Sequence, residues 1–268
     1  MNERTRLSKQ ATTPLHLDDT DHDDDEPRGI LLSRKEALAV MAGVGTAVLV
    51  GGRPVRAESA VTEPKVCVAL PEMTDGPFYL DKMLERSDIR LEPSDGSVRP
   101  GIPLDLVFDV SRLVDSTCVP LEGAIVDVWH CDALGVYSGV QDRNGNSTAQ
   151  TFLRGYQQTD PGGLAHFVTI YPGWYRGRAV HIHFKIRSTS DAAQAFEFTS
   201  QLFFDDGLSD MVHATEAYAA NGQRGTRNAQ DGIFQGGGDQ LTLDVSKTDE
   251  GYAAVFAIAI DTDRAPNR

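Results

Sequence analysis

The chain has 268 residues, 40% hydrophobic and 24% charged, with a net charge of −14 and a pI near 4.8. That length and apolar content suffice for one sizeable core, and an acidic balance without a basic stripe excludes a nucleic-acid-binding protein. Three cysteines and no C-x-x-C exclude a zinc knuckle and a thioredoxin-type redox site.

Residues 1–32 are predicted to be a disordered acidic segment. Asp18 to Glu26 holds seven acids and no Lys or Arg, without an apolar period. Residues 33–57 read as an export signal. Ser33-Arg-Lys-Glu-Ala-Leu38 opens it, and the run from Ala37 to Gly52 is uncharged, small and apolar. At about 16 residues it is short of the ~20 that span a bilayer. Val55-Arg-Ala57 is an imperfect A-x-A-like cleavage site. The opening resembles a twin-arginine signal with Lys35 in place of the second arginine. The expected destination is periplasmic or extracellular; a membrane anchor or a buried helix is the alternative. Residues 58–268 then form one domain.

That domain reads as strands. Pro103 to Val110 alternates, with Leu104, Leu106, Phe108 and Val110 on one face. A strand from Gly123 ends near Trp129 and turns through Asp132 and Gly135 to Tyr137. Further strands are expected at Ala165 to Ile170, Val180 to Ile186, Ala195 to Phe204, Leu241 to Val245 and Tyr252 to Ile260. The one helix predicted is short, around Asp210 to Ala220. Turn signals such as Asp160-Pro-Gly-Gly163 separate the strands. The class is all-β: an antiparallel β-sandwich with short helices and long loops.

The strand from Val180 carries the chemistry. Val180, Ile182, Phe184 and Ile186 point one way; His181, His183 and Lys185 point the other. Such a pattern predicts a half-buried strand. Two imidazoles at i and i+2 on one face can reach one metal ion. Tyr175, six residues before His181, could supply a third ligand, and Tyr137 a fourth. Phenolate is a hard anionic donor, so two of them favour Fe(III) over Zn(II). Arg178 puts a permanent cation beside the site.

Five blocks resemble the intradiol ring-cleavage dioxygenases, the family of protocatechuate and catechol dioxygenases. They are Pro71-Glu-Met-Thr-Asp-Gly-Pro-Phe-Tyr-Leu80, Val126-Asp-Val-Trp-His-Cys-Asp-Ala-Leu-Gly-Val-Tyr137, Phe152-Leu-Arg-Gly-Tyr156, Phe167-Val-Thr-Ile-Tyr-Pro-Gly-Trp-Tyr175 and Gly177-Arg-Ala-Val-His-Ile-His183. Asp75 stands where that family usually has Glu. The resemblance implies a non-haem Fe(III) dioxygenase. Its iron ligands would be Tyr137, Tyr175, His181 and His183. Tyr175 would be the displaceable ligand that takes a substrate proton. Arg178 would lie beside the substrate and stabilise charge building on the ring, with Gln201 as a further active-site residue. Tyr79 would be a pocket wall and Trp174 would line the mouth. The expected reaction cleaves a catechol-type ring between its two hydroxylated carbons with O2, giving a muconate-type diacid. The partners are then a small aromatic diol and O2, with a homo-oligomer left open. The Tyr175–His181 loop is shorter than in the better-known members, which leaves the catechol unidentified.

Two other readings stay open on the residues alone: a non-catalytic β-sandwich binding module, and a zinc hydrolase using His181, His183 and an acid. Cys118 and Cys131 are the disulfide pair of first choice, with Cys67 to either, or three buried thiols, as alternatives. His130 is expected to point away from the metal; His166 and His213 are expected on the surface or in turns.

Overall fold

The protein is described here by a computed structural model over residues 70–263, apart from 115–116 and 143–144. The acidic segment, the export signal and Cys67 lie outside the described residues. Two sheets stack. In the first, β1 (Pro103–Val114) is central. It takes β11 (Tyr252–Ile260) in parallel along one edge, with Leu104 opposite Tyr252. Along the other edge it pairs antiparallel with β7 (Leu164–Ile170) and then with β2 (Thr117–Pro120). β10 (Val245–Lys247) closes this sheet as an antiparallel partner of β11. The second sheet is antiparallel throughout, in the order β6 (Arg154–Gln158), β3 (Ile125–Trp129), β8 (His181–Arg187), β9 (Glu197–Phe203). A two-stranded ribbon, β4 (Gln141–Asp142) with β5 (Gly145–Asn146), stands apart.

Period-2 alternation builds the core between the sheets. Leu104, Leu106, Phe108 and Val110 of β1 are all fully buried, as are Ile182, Phe184 and Ile186 of β8. Phe108 meets Phe184 at 5.3 Å, and Phe256 of β11 joins both, at 5.9 and 5.3 Å. Aromatic burial on this scale dominates a core's energetics.

The expected strands are present, with differences that have physical causes. The β1–β11 pair is parallel because the helices and β10 lie between these two strands, a connection long enough to return in the same direction. Strand β1 runs four residues past Val110, where β2 offers it a partner. The segment from Leu241 forms only a single bridge, Thr242 to Phe203, before the strand begins at Val245. The predicted helix is two. The first, α1 (Asp206–His213), starts earlier because Asp205 caps it, its carboxylate accepting from Leu208 N at 2.8 Å; the second is α2 (Glu216–Ala219). His213 is therefore not a surface or turn residue: it is buried at the end of α1, its Nε2 3.1 Å from Pro172 O. His166 is exposed, 3.6 Å from Asp105.

Cys131 is a free, buried thiol and Cys118 is disulfide-bonded, so the expected Cys118–Cys131 pair does not form. Strand β3 carries Trp129 straight into the buried 130–133 turn, where Cys131 packs with Trp129 and Tyr137.

Strand β8 differs from the half-buried expectation in a way that matters for the site: it is buried on both faces. Residues 71–86 cross the outer face of its sheet. Met73 N donates to Thr199 O at 2.8 Å, and Ser200 Oγ to Pro71 O at 2.8 Å. At the far end Arg86 N donates to Tyr156 O at 3.1 Å.

Candidate metal centre

His181 and His183 project from the outer face of β8, beneath this crossing segment. His183 lies opposite Trp129 of β3 and Gln201 of β9. Its ring stacks on Trp129 with centroids 5.0 Å apart and planes 6° from parallel. Gly76, at φ +67°, passes so close that a Cβ there would sit 3.2 Å from His183 Cε1. His181 Nδ1 lies 2.7 Å from Ala179 O, so that nitrogen carries the proton and Nε2 keeps its lone pair. The two Nε2 atoms are 3.1 Å apart. Burial, reinforced by the Arg178 charge, pushes the His181 pKa down to about 3. Burial and the neighbouring His181 push His183 well below its ordinary value. Both rings are therefore neutral near pH 7, the form that binds metal.

Two loops bring in the tyrosines. Asp132 Oδ1 accepts from Leu134 N and Val136 N, each at 3.0 Å, and this turn aims Tyr137 inward. The Pro172–Trp174 turn crosses it closely: Gly173 N donates to Asp132 O at 3.2 Å, and a Cβ on Gly173 would fall 2.3 Å from that same oxygen. Only glycine lets the two tyrosine loops touch. Tyr175 Oη reaches 3.2 Å from His181 Nε2. Burial pushes its pKa up to about 12, against the opposing pull of Arg178. The Tyr137 and Tyr175 rings meet edge-on at 5.6 Å. Burial drives the Tyr137 pKa well up, and nearby Tyr175 adds to it, yet Tyr137 Oη is buried without a hydrogen bond of ordinary geometry.

This donor set fits a metal. Leaving a buried hydroxyl unpaired costs about 1–3 kcal/mol, and a bound cation is the partner that the Tyr137 oxygen lacks. His181 Nε2, His183 Nε2 and Tyr175 Oη already converge. Two phenol oxygens with two imidazoles suit a hard ferric ion. A zinc site with an acid finds no support: among the described residues, no group of three or more His, Cys, Asp or Glu is placed to hold a metal. His130, next in chain to Trp129, is a structural residue, buried with Nε2 2.7 Å from Thr169 Oγ1 and Nδ1 2.8 Å from Cys131 O.

The other expected site residues divide. Arg178 Nη1 lies 3.4 Å from His181 Nε2, and Nη2 donates to Gln201 Oε1. Gln201 is fully buried, and its Nε2 donates to Thr74 O at 2.8 Å. Both belong to the centre. Tyr79 packs against the cluster of Trp129, Cys131 and Tyr137. Its ring lies against Trp129, 4.9 Å between centroids, with Lys185 Nζ 4.5 Å over it. Trp174 is tied to the 221–222 loop, its Nε1 donating to Gly222 O at 3.3 Å and its carbonyl accepting from Asn221.

Sequence reasoning missed two neighbours. Phe78 stacks on Tyr137 at 4.4 Å and stands edge-on to Tyr175 at 6.0 Å, occupying the wall position expected of Tyr79. Its place beside Tyr79 in the Gly-Pro-Phe-Tyr block was the available signal. Asp231 accepts from Arg178 Nε at 2.9 Å and from Ala179 N at 2.7 Å. Burial pushes its carboxyl up, but those two donors outweigh burial and hold it below the usual range. Arg178 is therefore balanced by a protein carboxylate, and an incoming substrate anion is not its only counter-charge.

Comparison with known proteins places the chain in a family. A protein-family model described as Dioxygenase matches residues 74–223, a span that includes all four candidate ligand residues and covers more than half the chain. An intradiol ring-cleavage dioxygenase from Tetranychus urticae superposes with a TM-score of 0.64 at 28% identity, over 75% of this chain and 98% of that one. The chain belongs to the intradiol ring-cleavage dioxygenase family. Among curated relatives, a catechol 1,2-dioxygenase of Candida albicans is 35% identical over 102 residues, and a chlorocatechol 1,2-dioxygenase of Pseudomonas putida 30% identical over 106. These matches span 31% and 37% of the relatives' own lengths. As a dioxygenase-family domain, the chain has two stacked sheets, with His181 and His183 on the outer face of the second and Tyr137 and Tyr175 brought to them by loops.

Proposed function

We propose that this protein is an Fe(III)-dependent intradiol dioxygenase that opens a catechol-type ring between its two hydroxylated carbons, yielding a muconate-type diacid. The observation that carries the reading is His181 Nε2 lying 3.1 Å from His183 Nε2 and 3.2 Å from Tyr175 Oη, with the buried Tyr137 hydroxyl, which lacks a hydrogen bond of ordinary geometry, next to Tyr175. The four side chains would hold the iron. When bound, ferric iron supplies the Lewis acidity and electron relay by which a catecholate reacts with O2.

The chain's own residues do the rest. Tyr137, His181 and His183 are buried, whereas Tyr175 is half-buried. Tyr175 is thus the member free to leave the centre and take a proton from a catechol hydroxyl onto its phenol oxygen. Arg178 presents a fixed cation where charge builds on the ring, a preorganised electrostatic role. Phe78 lies against both tyrosines and offers an apolar wall to an aromatic ring. The crossing segment at residues 74–78 limits water. The catechol and chlorocatechol in the relatives' names are the substrates to test first.

Export through residues 33–57 is proposed on the apolar run and its flanks, so the substrate would be met outside the cytoplasm. The iron reading is tested by purifying iron-replete protein. About one iron per chain with a strong visible tyrosinate band is expected; a colourless iron-loaded protein excludes the tyrosinate set, and zinc or an empty module gives no band.

A further inference from the structure

Arg178 is held through two nitrogens of its guanidinium and faces the centre with the third. Nη1 faces His181 Nε2 at 3.4 Å, Nη2 donates to Gln201, and Nε donates to Asp231 Oδ2 at 2.9 Å. Because the group is planar, fixing Nε also fixes the directions of both Nη atoms. We propose that Asp231 is a positioning residue for ring cleavage: it holds Arg178 through Nε so that the other two nitrogens are turned to His181 and Gln201 at the centre. This rests on the ring-cleavage reading of the centre.

Asp231 is built to hold still. Its side chain is 1% exposed. Oδ2 is shared between Arg178 Nε and Ala179 N, the latter at 2.7 Å. Oδ1 accepts from Ile233 N at 2.8 Å and Phe234 N at 3.4 Å, at the start of the short helix α3 (Gly232–Gln235). The carboxylate is thus anchored from behind by two amides and cannot follow a drifting guanidinium. On the other side, Gln201 is anchored on Thr74 O. Arg178 is therefore gripped between two rigid acceptors on separate elements, with its third nitrogen aimed at His181. Holding a helix start needs only the two amide contacts. Orienting Arg178 requires the charge and the reach of a carboxylate, and a misplacement of about 1 Å at such a group costs on the order of 10² in rate.

The structural alternative is that Asp231 serves only as a helix cap. A double-mutant cycle separates the two. Asp231→Ser keeps a capping oxygen but cannot reach Arg178. We expect iron content and the visible band to stay near wild type, with kcat on catechol about 10²-fold lower and KM changed less than about 3-fold. Asp231→Glu, which keeps the charge, should recover about tenfold of that loss. In an Arg178→Ala background, Asp231→Ser should cost less than about 2-fold further. If Asp231→Ser does not fold, the same cycle with Asp231→Asn carries the test. Equal losses in both backgrounds, or wild-type kcat in Asp231→Ser, overturn the positioning role while leaving the ring-cleavage reading intact. A wild-type protein that takes up no O2 with any catechol overturns both.

Discussion

Tyr137 and Tyr175 carry the same hydroxyl in different surroundings, and the difference predicts opposite responses to its removal. Tyr137 Oη is buried with no hydrogen bond of ordinary geometry and has the Tyr175 hydroxyl as a polar neighbour. Tyr137→Phe should therefore leave the melting point of the metal-free protein unchanged or raise it, by up to about 1 kcal/mol of stability, while iron affinity falls. Thermal unfolding after chelation and iron titration measure the two effects separately; a lower metal-free melting point would mean the hydroxyl is satisfied in the fold itself. Tyr175→Phe should keep most of the iron, shift the visible band and slow turnover, since the lost oxygen is the one facing His181 at 3.2 Å. Arg178→Ala should lower turnover by ~10²–10³-fold. Because Asp231 is left with Ala179 N and two helix amides as partners, the fold and iron content should survive. Loss of iron in step with activity would make Arg178 structural.

Elements meet at the centre through backbone contacts that leave little room. Gly173→Ala places a carbon against Asp132 O, which must move. We expect a loss of about 1–3 kcal/mol, read as a lower melting point, together with weaker iron binding because both tyrosine loops shift. Unchanged iron affinity would show that the loops adjust independently. A second tie lies at Glu92, whose Oε2 accepts from Thr151 N at 2.6 Å and Phe152 N at 3.1 Å. Burial pushes its carboxyl up, but these amides and Ser94 outweigh burial and hold it below its ordinary value of 4.5. A depressed carboxyl stabilises the fold above its unfolded pKa, and that stability is lost as pH falls through the depressed folded value. Glu92→Gln should therefore lower the melting point at pH 7, and the gap to wild type should narrow progressively as pH falls below the ordinary value of 4.5. A gap that persists undiminished at low pH would mean that packing and not ionisation is responsible. The strands were legible because each buries one face at period 2, and the His-x-His pair because its alternation with Val180, Ile182 and Phe184 is strict. Burial of the histidine face was not legible, since residues 71–86 cover it without forming a strand of their own. Asp231 was not legible either: it is 53 residues from Arg178, and no local pattern distinguishes it from the other acids.

At the scale of the whole molecule, the two sheets make a rigid platform, and the centre sits on the outer face of one under a single covering segment. The aromatic blocks made the approach of the two tyrosine loops legible, because they bring their own turn residues: Gly135 before Tyr137 and Gly173 before Tyr175. Phe78 was hidden by its neighbour Tyr79, whose hydroxyl made it the more conspicuous candidate; in the structure Phe78 stacks on Tyr137 while the Tyr79 ring lies against Trp129. Export is tested on the whole chain. Deleting residues 37–52 should leave the protein in the cytoplasm, and unchanged fractionation would remove the signal reading. The most direct test of the central claim is the identity of the ring-opened product. Iron-replete protein given catechol and O2 should yield a muconate-type diacid carrying both atoms of one O2, with cleavage between the two hydroxylated carbons. A yellow product bearing an aldehyde or keto-enol group, from cleavage beside the diol, would contradict the account.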